Sequence, residues 1–146
     1  MTPQPFVVTP LDYARALNVV GQKITVLASN AQTHGYEIFL QQGVEGSGPP
    51  PHSHDWDESF YVLKGSVEIT CDGSAATAEA GTLVHVPAGT IHSFRFGAGG
   101  GEMLSVTGHN SNAAEVFTAF DQLPPGPPDL QKMLEIGAKM HAYFPI

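Results

Sequence analysis

From Val19 to Thr107 the chain is a succession of short strand-like runs broken by glycine, proline and asparagine, a rhythm that leaves few folds open to it. The candidates are Lys23 to Ala28, Tyr36 to Gln41, Glu58 to Leu63, Ser66 to Thr70, Thr82 to Val86, His92 to Phe96 and Met103 to Thr107. Several are rich in β-branched and aromatic residues, and turn signals separate them at regular intervals. That pattern predicts an all-β sandwich or barrel. Leu63-Lys-Gly65-Ser66 and Cys71-Asp-Gly73-Ser74 are turn sites where glycine tolerates positive φ, and Gly97 to Gly101 reads as a flexible hairpin loop.

The last third changes character. Asn112-Ala-Ala-Glu115 has the spacing of a capping box opening a short helix through Phe117 and Phe120. The run Pro124-Pro-Gly-Pro-Pro128 breaks the chain, and Asp129 is placed to cap a second helix with Leu130, Met133, Leu134, Gly137 and His141 on one face. That stripe predicts a helix lying against the barrel or a partner subunit, with a substrate lid as the alternative. With 146 residues, the expectation is one domain over 1–146, a barrel core at about 19–107 and a helical segment at about 112–144.

Six basic against fourteen acidic residues give a net charge of −8, which repels nucleic acid. Cys71 is the only cysteine, so no intrachain disulfide forms. The N-terminal residues lack the pattern of a signal peptide, and no stretch approaches the ~20 apolar residues of a membrane span. A cytoplasmic protein with no membrane contact is expected.

Two segments carry the chemistry. In the first, Gly46 to Gly65, His52 and His54 are two apart and share a strand face, and Glu58 joins them if Asp55-Trp-Asp57 preserves the count. The second, Gly81 to Phe96, brings His92 from another strand. Three imidazoles and one carboxylate converging inside a barrel suit one divalent transition metal per chain, with positions open for water or substrate. Mixed nitrogen and oxygen ligation accepts Fe, Mn, Ni, Co, Cu or Zn. Trp56, in the acidic turn between the ligands, is placed either at the pocket rim or in packing; His34, His85 and His109 are expected at the surface or in hydrogen bonds, and His141 in packing or at the surface.

The spacing is more specific than the ligand types. Five residues separate Gly46 from His52, three separate His54 from Glu58, and six separate Glu58 from Gly65. This resembles the first conserved motif of the cupin superfamily, and Gly81, Pro87, Gly89 and His92 resemble the second. One departure stands out: Phe96 occupies a place where the family commonly has asparagine. The resemblance covers Val19 to Thr107 and implies a double-stranded β-helix, or jelly-roll, barrel with C-terminal helices. It implies that His52, His54, Glu58 and His92 ligate the metal. The overall layout is similar to small single-domain cupins grouped with quercetin dioxygenases.

Parity then sketches a pocket. If Glu58 and His92 point inward, so do Phe60, Val62, Phe94 and Phe96, which would wall the metal with apolar surface. The resemblance implies an oxygenase acting on a small hydrophobic or aromatic enol or phenol, with Glu58 as the base and its pKa raised by the apolar pocket. A non-redox metal-dependent cyclase, lyase or isomerase, or a cupin that binds a small molecule without turnover, fits the same ligands. The free sheet edges and the apolar final helix lead to an expected homodimer.

Overall fold

Alternation of buried and exposed side chains along the longer strands sets the architecture. The computed structural model describes residues 2–127 and 129–145, so Pro128 of the expected chain break lies outside the described residues. In chain order the elements are β1 (Leu17–Val19), β2 (Gln22–Ala28), α1 (Asn30–Thr33), β3 (Glu37–Gly43), β4 (Ser53–His54), β5 (Glu58–Cys71) and β6 (Ser74–Glu79). They continue with β7 (Leu83–Val86), β8 (His92–Thr107), α2 (Ala113–Asp121), α3 (Leu130–Lys139) and β9 (Ala142–Tyr143). The main antiparallel ladder runs β1-β2-β3-β8-β5-β6, with β7 against β5, while β4 and β9 form a separate pair.

Four of the expected runs merge into two long strands. Residues 101–107 of β8 pair with β3 and with 58–65 of β5, whereas 92–96 pair with 67–71. Each long strand therefore serves both sheets of the barrel, and the register shifts where they bend. Gly65, expected in a turn, and Gly97 to Gly101, expected in a loop, lie inside strands instead. Gly65, Gly99 and Gly100 take positive φ there, and a Cβ on Gly65 would overlap the Gly100 carbonyl oxygen. Glycine is what lets the two strands bend together at contact distance. The turn at Asp72 and Gly73 forms as expected: positive φ at both residues matches a two-residue hairpin between β5 and β6. The result is a jelly-roll barrel.

Two apolar clusters fill it. Phe60, Val62, Val67, Ile69, Phe94, Phe96 and Met103 pack between the two sheets. Val19, Ile24, Phe39 and Trp56 of the barrel pack against Val116, Phe120 and Met133 of α2 and α3, so the helices close one end of the barrel. Phe39 meets Phe117 edge-to-face at 5.0 Å.

The helix caps divide. Asp129 caps α3 as expected, its carboxylate accepting from the Lys132 amide at 3.1 Å. The capping box at Asn112 does not form: the Asn112 side chain donates to the Met140 carbonyl instead. The buried Glu37 carboxylate takes its place, accepting from the Ala114 amide and the Ser111 hydroxyl. A carboxylate from a distant strand satisfies the positive end of α2. On α3, Met133 and Gly137 are buried while Leu130 is exposed, and His141 falls beyond the helix in the left-handed region.

Candidate metal centre

Backbone pairing aims the histidines. His52 and His92 exchange backbone hydrogen bonds of 2.9 and 2.8 Å across an isolated bridge, which locks the loop after β3 to the start of β8. Pro49, Pro50 and Pro51 lack N–H groups, so that loop cannot continue as a paired strand and leaves the sheet just before His52. His54 belongs to β4 and Glu58 opens β5. One ring nitrogen from each of His52, His54 and His92 lies within 4.8 Å of the others. Glu58 Oε1 sits 3.0 Å from His54 Nε2 and 3.7 Å from His92 Nε2.

Each imidazole is held by its other nitrogen. The Nδ1 atoms of His52, His54 and His92 lie 2.9, 2.8 and 2.9 Å from the carbonyl oxygens of Pro50, Trp56 and Thr90. A carbonyl only accepts, so Nδ1 carries the proton and Nε2 of the neutral ring presents a lone pair. Such a backbone partner is what orients a ligating histidine. The three lone pairs then face a carboxylate, which also only accepts, and His92 Nε2 is buried with no hydrogen-bond partner among the described residues. Acceptors gathered against acceptors need a cation between them. Ligand atoms ~2.1 Å from a metal stand about 3.0–3.4 Å apart at right or tetrahedral angles, and Glu58 Oε1 lies 3.0 and 3.7 Å from its two histidine nitrogens. The three histidines, with Glu58 beside them, fit a metal ion.

In the ion-free site a proton on an imidazole takes the cation's place between these groups. Burial alone would push the Glu58 carboxyl up, as the sequence reading expected from an apolar pocket. Hydrogen bonds and positive charge from His54 and His92 outweigh it and hold Glu58 at about 2. Burial and the nearby charge of His92 hold His52 down at about 3. For His92, burial acts downward, yet the Glu58 carboxylate raises it overall. His52 therefore offers a neutral nitrogen at any physiological pH.

A cavity of about 60 Å³ opens beside these residues, and Phe60 and Phe94 line it with His52, His54 and Glu58. Val62 and Phe96 point inward too, but they pack in the inter-sheet cluster behind it. Trp56 is buried, with its ring stacked on His54 at 4.5 Å, so packing and not the rim is its place. Much of the wall comes from residues outside the two motifs: Gln22 and Gln41 on β2 and β3, Phe117 and Phe120 on α2, Met133 on α3, and Phe144. The sequence reading missed the glutamines, although sharing a strand face with Ile24 and Phe39 is the signal that would have found them; nothing local in the sequence joins the helices to the site. Outside the cavity, His85 is bonded to Ser59 and His141 lies 3.4 Å from Asp55.

Comparison with known proteins places these features. A family model described as the cupin domain matches residues 39–107. Quercetin 2,3-dioxygenase of Bacillus subtilis (strain 168) is 32% identical over 103 residues, which cover 68% of this chain but 30% of that protein. The structure of KdgF from Halomonas sp. superposes with a TM-score of 0.69 at 15% identity, covering 76% of this chain and 99% of that one. An RmlC-like cupin from Shewanella frigidimarina gives 0.68 at 18% identity over 79% and 99%. The polyketide cyclase RemF from Streptomyces resistomycificus gives 0.63 at 20% identity over 73% and 80%. With the cupin model matched across β3 to β8 and the same barrel recurring in these structures, the chain is a member of the cupin superfamily.

Proposed function

We propose that this cupin is a metal-dependent enzyme, a quercetin dioxygenase-like oxygenase acting on a small hydrophobic or aromatic enol or phenol. The observation that carries the reading is the convergence of three imidazoles and the Glu58 carboxylate, with His52, His54 and Glu58 lining a largely apolar cavity. The similarity to the Bacillus subtilis dioxygenase supports the oxygen chemistry. His52, His54, His92 and Glu58 would hold the ion. Bound there, a divalent transition metal supplies Lewis-acid polarisation of a substrate oxygen and, when redox-active, a route to dioxygen.

The chain's own residues do the rest. The fixed Nδ1 bonds keep the imidazoles from rotating as substrate arrives. Glu58, ionised at neutral pH, faces the histidines through Oε1 and takes the hydroxyl proton of the enol or phenol at Oε2. Phe60 and Phe94 exclude water and offer ring faces to a planar substrate, while Val62 and Phe96 brace them from behind. The cavity is well below the ~150 Å³ of an apolar cavity that holds benzene, so a substrate of aromatic size enters as the cover yields. That cover is α3, β9 and Phe144, clasped to the metal segment by the two-residue β4–β9 pairing and a 3.2 Å bond from the Tyr143 hydroxyl to Asp55.

The test is oxygen uptake by protein loaded in parallel with Fe, Mn, Co, Ni, Cu and Zn, against flavonols, catechols and β-diketones, with His54→Ala as control. Uptake that depends on one metal and vanishes in the control bears the reading out. Substrate conversion that proceeds equally without oxygen would replace it with a non-redox cyclase, lyase or isomerase.

A further inference from the structure

Two glutamines stand where strand alternation calls for apolar side chains. Gln22 and Ile24 share the inward face of β2, and Phe39 and Gln41 share that of β3. Register sets Gln41 opposite Ile24 and Gln22 opposite Gly43, so the two glutamines are diagonal neighbours within reach of each other. Gln22 is 3% and Gln41 2% exposed, and both line the cavity that holds His52, His54 and Glu58. Gln22 Oε1 is buried without a hydrogen-bond partner among the described residues. The indole N–H of Trp56, on the same cavity, is likewise unpartnered.

A buried amide oxygen without a partner is costly, so its partner has to come from whatever fills the cavity. Water serves in the free protein. A ligand hydroxyl or N–H that displaces that water keeps the bond, whereas a methyl in the same place forfeits it. Sites that hydrogen-bond a ligand group discriminate strongly against the analogue that lacks it, because their own polar atom is then left bare. Neither glutamine carries charge, so neutral polar groups are favoured over ionised ones.

Building on the metal-dependent reading above, we infer that Gln22 and Gln41 are specificity-determining residues. They form a carboxamide pair that selects an enol-type ligand bearing a neutral hydroxyl or N–H in addition to the oxygen it presents to the histidines. The substrate class narrows accordingly, from hydrophobic enols in general to enols with a second, neutral hydrogen-bonding group.

Acetylacetone and acetoacetamide form an isosteric pair in which a methyl becomes an NH₂. Binding of each to Zn(II)-loaded protein is measured by calorimetry for the native chain, Gln22→Met and Gln41→Met, after the metal content of every sample is determined. The native protein is expected to prefer acetoacetamide by roughly tenfold more than Gln22→Met does, with a smaller change for Gln41→Met. Equal ratios in native and variant proteins overturn the inference, as does failure of both compounds to bind metal-loaded protein. Should Gln22→Met not fold, the glutamine side-chain NH₂ signals of the native protein carry the comparison. They shift on saturation with acetoacetamide and stay put with acetylacetone; signals unmoved by either overturn the inference. Protein that takes up no metal overturns the metal reading and this inference with it, whereas metal-loaded protein with equal ratios overturns the inference alone.

Discussion

Gly48 is where a single methyl group should do most damage to the site without touching a ligand. It lies on the loop that leads to His52, and its φ of +153° is a conformation that L side chains rarely adopt. A Cβ there would overlap the carbonyl oxygen and carbon of Phe94, a backbone that cannot turn aside as a side chain would. Backbone strain of this kind costs about 1–3 kcal/mol, and overpacking against an unyielding neighbour adds about 1–3 kcal/mol. Gly48→Ala is therefore expected to destabilise the fold by roughly 2–6 kcal/mol. Gly46 is the matched control: its φ is +81°, but nothing lies within 4 Å of an added Cβ. Gly46→Ala should cost only the left-handed backbone penalty, about 1–2 kcal/mol. Urea unfolding of the two variants reads the difference, and metal titration reads its consequence, since relief of the Phe94 overlap moves the segment carrying His52 away from His92. Equal midpoints for the two variants, or a Gly48→Ala protein with native metal affinity, would refute the reasoning.

Other consequences follow from the same geometry. Glu58→Gln keeps the size of the side chain but removes the proton acceptor, so kcat should fall about 10²–10⁴-fold; retained metal with unchanged turnover would exclude the carboxylate as the base. Arg15 pairs with Asp121 through contacts of 2.5 and 3.2 Å, and the Asn18 amide donates to the same carboxylate. The hydrogen bond from Arg15 holds Asp121 below the usual carboxylate range, so this tether is complete above about pH 4 and is lost as pH falls through the depressed value. The Asn18 amide resonance followed from pH 7 to 2 checks the sign; a midpoint above about 4 would contradict it. The outer face carries an apolar row in which Leu40 faces Leu104, Leu104 faces Tyr61 and Tyr61 faces Leu83. If that row is the seam of a homodimer, light scattering shows a dimer for the native protein and a monomer for Leu83→Glu, and a native monomer would dismiss it.

Much of this molecule was legible in its residues because both governing patterns are local. Period-two alternation placed Phe60, Val62, Phe94 and Phe96 inside, and the spacing of His52, His54, Glu58 and His92 survived the Asp55–Asp57 turn to bring them together. What escaped was whatever depends on distant neighbours. Gly65 and the Gly97–Gly101 run signal a turn and a loop by composition, yet they face one another as the bend of two long strands. Ser74–Glu79 is rich in alanine and carries little strand propensity, and it becomes β6 only because β5 offers it a partner. Glu37 gave no sign that it would cap α2, and no local feature of β9 shows that it pairs with β4. The direction of the Glu58 pKa also escaped, because the sequence shows that burial and imidazoles meet there but not that the hydrogen bonds from His54 and His92 outweigh the burial.

The central claim is that His52, His54 and His92, with Glu58, hold one metal ion. The most direct measurement is titration of metal-stripped protein with each of the six divalent ions, read by calorimetry and elemental analysis, for the native chain and for His54→Ala. The account predicts one tightly bound ion per native chain and an affinity at least ~100-fold weaker in the variant. Native protein that binds none of the six, or a His54→Ala protein that binds as tightly as the native chain, would contradict it.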